Sequence, residues 1–151
     1  MTTEQTALEK LRTWLATYPG YTEVEALQVD YTDNVPGAAG LFPGGLVEVA
    51  RRRDILGSVT VENQYNFGLY VTFAKAPGDG TGAARNAEWL IALQHWVQEQ
   101  SIKRLAPTFG DLPRQERVTA QNGILYDATD EGAAVYLVQL SVNFYRKYEV
   151  V

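Results

Sequence analysis

Cysteine is missing from all 151 residues. That removes disulfide frameworks, thiolate metal sites and cysteine nucleophiles together, and it fits a reducing compartment. Histidine occurs once, at position 95, so a zinc site would have to be almost wholly carboxylate, a ligand set zinc seldom takes. No apolar run approaches the ~20 residues of a membrane-spanning helix. The opening Met1-Thr2-Thr3-Glu4-Gln5 lacks the basic patch and apolar stretch of a signal peptide, so a cytosolic product without a membrane anchor is expected. Positive charge is scarce as well. Thirteen Lys and Arg against 18 Asp and Glu leave a formal charge of −5, whereas binding to a phosphate backbone needs a clustered basic footprint. One basic cluster exists, Arg51-Arg52-Arg53.

What is present is the material of a globular domain. The chain is 46% apolar and 21% charged, with nine Tyr, five Phe and three Trp, a composition that can fill a core and furnish interfaces. Its length is that of one domain, expected to bury roughly 70% of the surface its unfolded form exposes. Residues 1–151 are therefore read as a single domain, with a flexible loop at about 33–45.

Periodicity supplies the elements. Over residues 6–17, Ala7, Leu8, Leu11, Trp14 and Leu15 have the one-sided spacing of an amphipathic helix, ended by Tyr18-Pro19-Gly20. Residues 24–31 read as a strand. Two prolines and four glycines make residues 33–45 irregular, and the apolar Leu41 and Phe42 inside that stretch either fold back onto the core or form an arm that docks on a neighbouring subunit. Residues 46–53 read as a short strand. From Val59 to Phe73 the apolar residues Val59, Val61, Tyr65, Phe67, Leu69, Val71 and Phe73 share one parity, the mark of a strand with one buried face. Its length suggests a bulge or bend near residues 66–68. Residues 76–82 read as a linker, with Asp79 or Thr81 as cap of a helix over 84–103 that carries Trp89, Leu90, Leu93, Trp96 and Val97 on one stripe. A loop over 105–113 is expected to be pinned by Phe109. Asn122-Gly123 is a hairpin signal between short strands, Asp130-Glu131-Gly132 a second turn, and residues 134–148 alternate again. The fold class is α+β: a mainly antiparallel sheet covered on one side by two amphipathic helices.

Chemistry is harder to find. Neither a Gly-x-Ser-x-Gly elbow nor a Gly-Lys-Ser/Thr phosphate loop is present, although Gly78-Asp79-Gly80-Thr81-Gly82 precedes a helix. His95 stands alone on a helix. The acids Asp127, Asp130, Glu131 and Glu23, Glu25, Asp30 lie near turns and the first strand, where solvated turn formers are common. No catalytic residue, cofactor or metal is expected. The amides and hydroxyls Asn63, Gln64, Asn66, Thr72, Gln139, Ser141 and Asn143 read as polar strand faces, either an ordinary wet sheet or a surface for protein contact.

The ending Gly123-Ile124-Leu125-Tyr126-Asp127-Ala128, then Ala134-Val135-Tyr136-Leu137-Val138-Gln139-Leu140-Ser141-Val142-Asn143-Phe144-Tyr145, resembles the minor capsid or tail-terminator-like proteins of long-tailed bacteriophages and prophages. The segment Val29-Asp30-Tyr31 and the tryptophan-bearing helix over 89–98 look similar too. The resemblance implies a structural virion protein at the head–tail junction, a hexameric ring that caps the tail tube and joins it to the head connector proteins. DNA would then only pass through, no membrane would be involved, and assembly would take place in the host cytoplasm. Interface candidates are Leu41, Phe42, Arg51, Arg52 and Arg53. The alternative is a small module binding single-stranded nucleic acid or a small ligand on a tyrosine-rich sheet beside Arg51 to Arg53.

Overall fold

The computed structural model describes residues 6–20, 26–29, 38–74, 80–128 and 133–150. Chain order gives helix α1 (Ala7–Leu15), strands β1 (Ala26–Val29), β2 (Ala38–Arg53) and β3 (Val59–Ala74), helix α2 (Gly80–Ile102), a 3-10 turn at Pro113–Gln115, and strands β4 (Arg117–Ala128) and β5 (Ala133–Tyr148). The five strands form one sheet in the order β1-β2-β3-β5-β4. Among the described residues only the β1–β2 pair is parallel; the other three pairs are antiparallel. The α+β class read from periodicity is the class observed.

One face of the sheet carries the core. The odd positions of β3 and the even positions of β5 supply Phe67, Leu69, Val71, Phe73, Val138, Leu140, Val142 and Phe144, all buried in one cluster with Leu11, Trp14 and Leu15 of α1 and Leu90, Leu93 and Val97 of α2. Both helices therefore cover the same face, as their one-sided apolar stripes require. α1 starts cleanly because the Thr6 hydroxyl accepts the Glu9 N–H at 3.2 Å, satisfying a backbone donor the helix leaves over. Aromatic rings tie α1 to α2: Trp14 stacks on Trp96 at 4.9 Å, and the Trp14 indole donates to Gln100 Oε1 at 3.1 Å.

Past α1, Tyr18 sits edge-on to Trp89 at 5.4 Å and donates its hydroxyl to the Trp89 carbonyl at 3.3 Å. Burial raises its phenol pKa. Between the ordinary value of about 10 and that raised one, the folded state keeps a proton the unfolded state has lost. The associated stability is complete below about pH 10 and is lost as pH climbs through the raised value. Chemical denaturation between pH 9 and 11 is expected to show a shallower fall in stability for Tyr18→Phe than for the parent chain. An equally steep fall would disprove the assignment.

Several local expectations give way to the tertiary setting. The irregular stretch placed at 33–45 is strand from Ala38 onward, while residues 33–37 lie outside the described set. Beyond residue 41, β2 pairs only with β3 among the described residues. An edge strand tolerates Pro43 because its missing N–H can face away from the ladder. The register slips between Pro43 and Gly45, and Gly45 takes φ +87°, the left-handed conformation glycine supplies without strain. The bulge anticipated in β3 near residues 66–68 is thus in the partner strand opposite them, and β3 pairs with β5 without a break.

Asn122-Gly123 is a bulge inside β4 and not a hairpin turn, since β4 runs continuously from Arg117 to Ala128 with a slip between Gln121 and Ile124. Asn122 adopts φ +57°. Gly123 passes so close to α2 that a Cβ there would lie 2.9 Å from Gln94 Oε1. Helix α2 begins at Gly80, so Thr81 lies within it; Asp79 and the 130–132 turn lie outside the described residues.

The loop after α2 is pinned as expected. Phe109 is buried against Tyr65 and Phe144, and the Glu116 carboxylate accepts the Phe109 N–H at 2.6 Å. Next to it, the Asp111 N–H donates to the Tyr145 carbonyl at 2.7 Å, and the Asp111 carboxylate accepts the Lys147 N–H at 2.8 Å. This loop thereby covers the end of β5 that β4 does not reach.

Candidate assembly surface

The sheet face away from the helices is a polar ladder bonded to itself. Gln64 Nε2 donates to Asn143 Oδ1 at 3.1 Å, and Asn143 Nδ2 donates to Glu62 Oε2 at 3.0 Å. The Ser141 hydroxyl donates to Asn66 Oδ1 at 2.8 Å, and Asn122 Nδ2 to Gln139 Oε1 at 3.0 Å. Cross-strand pairs of this kind hold β3 to β5 and leave few groups aimed outward. Two further members of the expected polar set are buried. Asn63 shares the parity of Val61 and Tyr65, pairs with Phe144, and is buried on the helix-covered face. Thr72, beside Val135, is fully buried although it belongs to the opposite face.

The exposed apolar surface is concentrated on the β2–β3 hairpin. Leu46, Val47 and Val49 of the β2 edge keep 55%, 48% and 50% of their surface exposed. At the tip, Ile55 is fully exposed and Leu56 is 85% exposed. Burying either residue would contribute about 1.5–3 kcal/mol. The tip is also well ordered by hydrogen bonds. Asp54 Oδ1 accepts the N–H groups of Leu56 at 2.9 Å and Ser58 at 3.0 Å. The Asp54 N–H donates to Ser58 O at 2.9 Å, and the Gly57 N–H donates to Asp54 O at 3.2 Å. Gly57 at φ +90° closes the turn. The Asp-x-x-Gly spacing between two strands was the available sequence signal for this tip, and reading the region only for strand parity passes over it.

The interface candidates from the sequence divide. Leu41 is fully buried in the core, because it faces Leu69 across the β2–β3 ladder on the helix-covered side; its reading as a docking residue is corrected. Phe42 points to the opposite face, half-buried, with its ring edge-on to Tyr70 at 5.0 Å. Arg51, Arg52 and Arg53 are all exposed. A second slip of register between Glu48 and Ala50 puts Glu48 and Arg51 on one face, which a regular strand would not do at that spacing. Arg51 Nε and Nη2 meet the two Glu48 carboxylate oxygens at 2.6 and 3.1 Å. That fork holds the Glu48 carboxyl below its usual pKa range, and the pair, being exposed, adds little stability. Arg52 and Arg53 form no salt bridge among the described residues. They line a depression with Asp54, Glu62 and Tyr145, so acid shares the site with base.

At the opposite edge of the sheet a groove of about 580 Å³ separates α2 from β4, lined by Ile91, His95, Gln98 and Ile102 on one wall and residues 117–121 on the other. Its floor is already hydrogen-bonded, with Gln94 Nε2 donating to Ala120 O at 3.2 Å and the Val118 N–H to Ser101 Oγ at 3.0 Å. His95 is an exposed member of this wall, and the lining holds no carboxylate beside it. No group of three or more metal-type ligands occurs among the described residues, and no described helix is long and apolar enough to cross a membrane. The side chains of Asp127, Asp130, Glu131, Glu23, Glu25 and Asp30 fall outside the described set.

No protein-family model matches the chain, and no curated protein matches it. Its surface must therefore be read from its own geometry: an ordered apolar hairpin at one edge, a groove with two exposed isoleucines at the other.

Proposed function

We propose that the chain is a structural subunit that assembles with copies of itself into a ring of the tail-terminator kind, capping the tail tube of a long-tailed bacteriophage and joining it to the head connector. The observation that carries the assembly part is the β2–β3 hairpin, whose ordered tip holds Ile55 and Leu56 in solvent beside a strand edge with three more exposed aliphatics. Two adjacent large aliphatics held in solvent by an ordered turn, on a hairpin that exposes three more, are the kind of apolar surface that protein contacts cover. The C-terminal block from Gly123 to Tyr145 directs the reading to the head–tail junction by its resemblance to that family.

The nucleic-acid alternative draws less support. Tyr18 and Tyr136 are buried in the core and Tyr65 packs against it, while the depression beside Arg52 and Arg53 offers the single ring of Tyr145 and shares its lining with Asp54 and Glu62, whereas stacking platforms need several exposed rings in a basic groove.

Sedimentation velocity over a wide concentration range, alone and with tail-tube protein, tests the proposal. Species larger than the monomer, or capture of the chain at tube ends, are expected. A strict monomer that ignores the tube would end it.

A further inference from the structure

Resting on the assembly reading, the contact between copies can be placed more closely. We propose that the hairpin tip Ile55–Leu56 is a knob that seats, head to tail, in the groove between α2 and β4 of a second copy of this chain. Three observations converge. The knob and the groove lie at opposite edges of the sheet, between β2 and β3 at one side and beyond β4 at the other. Two unlike patches on one subunit give a heterologous contact, the kind that closes rings.

The groove wall is also apolar where an exposed helix face should not be. Glu88, Ile91, His95, Gln98 and Ile102 follow one another at spacings of three and four, a single stripe of α2, and every one is exposed. Ile91 and Ile102 keep 53% and 73% of their surface in solvent on a face where polar residues are the rule.

Charge agrees as well. Arg52 and Arg53 precede the knob with no salt-bridge partner among the described residues; Arg117 lines the Ile102 end of the groove, whereas Glu88, one turn before Ile91 and just beyond the other end of the lining, likewise has no salt bridge. Seating the knob with its arginines toward Glu88 and away from Arg117 sets opposite charges together.

Strand-to-strand extension is the competing geometry, and the outer stretches of β2 beyond β1 and of β4 oppose it. Pro43 and two register slips interrupt β2, while Gln94 and Ser101 occupy the outward carbonyl of Ala120 and N–H of Val118 on β4. Side chains in a groove remain.

Because the parent chain has no cysteine, single thiols can be placed at will. Leu56→Cys and Ile102→Cys preparations, mixed and treated with a short bismaleimide, should yield a mixed dimer in preference to either self-linked dimer. Ile55→Asp with Leu56→Asp should weaken association by about thirtyfold or more, the scale of a hot spot, with circular dichroism and thermal melting unchanged at these exposed positions. Arg53→Glu should weaken it too, and Glu88→Arg in the same chain should restore it. Self-linking of Leu56→Cys alone, or full assembly by the Ile55→Asp, Leu56→Asp chain, overturns the knob-and-groove contact and leaves the assembly reading standing. A parent chain that stays monomeric with and without tail-tube protein overturns both.

Discussion

Phe144→Ala is expected to cost about 3–5 kcal/mol, a large part of the ~5–15 kcal/mol by which a domain of this size is stable. Phe144 is 2% exposed. Its ring stacks on Tyr65 at 4.7 Å and meets Phe109 at 6.4 Å. Removing it opens a void between β3, β5 and the loop that Phe109 anchors, and close-packed surroundings relax only partly into such a void. The consequence spreads along the backbone, because that loop carries the Asp111 bonds that cover the end of β5. In urea the midpoint should fall steeply with the slope unchanged. Phe144→Leu, which refills most of the volume, should cost much less than the alanine. A loss below about 1 kcal/mol for the alanine variant would mean that this end of the sheet is not packed as described.

The same region shows which parts of the fold a sequence can express. Alternation from Val59 to Phe73 and from Ala134 to Tyr148 is a property of each strand alone, since a half-buried strand must repeat every second residue. Both strands run where parity placed them. Asn63 broke the pattern as an amide on an apolar parity, and grouping it by chemistry instead of position put it on the wrong face. Position was the better guide.

Pro43, Gly44 and Gly45 mislead for a different reason. Whether proline is tolerated in a strand depends on whether the strand is an edge, and that is a property of the whole sheet. Asn122-Gly123 is similar: an Asn-Gly pair can turn a hairpin or make a bulge, and here Asn122 alone takes the left-handed conformation, in a strand that continues past it beside α2. Leu41 and Phe42 are neighbours that point to opposite faces, so no single role could fit both. The proposed assembly surface was half legible. Arg51, Arg52 and Arg53 announced an exposed strand, but Ile55 and Leu56 look like core residues until the turn held by Asp54 points them outward.

Trp14→Ala is expected to release α1 while leaving the sheet folded, at a cost of about 3–5 kcal/mol. A helix of nine residues cannot persist in water by itself, since isolated helices below ~12–15 residues are marginal; α1 depends on what its apolar stripe touches. Trp14 supplies the largest part of that stripe, stacked on Trp96 and hydrogen-bonded to Gln100. The remaining buried contacts, Leu11 and Leu15, lack the ring area to replace it. Amide exchange reads the outcome residue by residue. Protection over Ala7–Leu15 should collapse toward that of an open chain, whereas β3 and β5 keep slow exchange at a reduced global stability. Trp14→Phe should recover part of the protection through the ring but not the bond to Gln100. If α1 stays protected in Trp14→Ala, the helix is held by something other than its tryptophan, and the packing of the two helices on one sheet face would have to be redrawn.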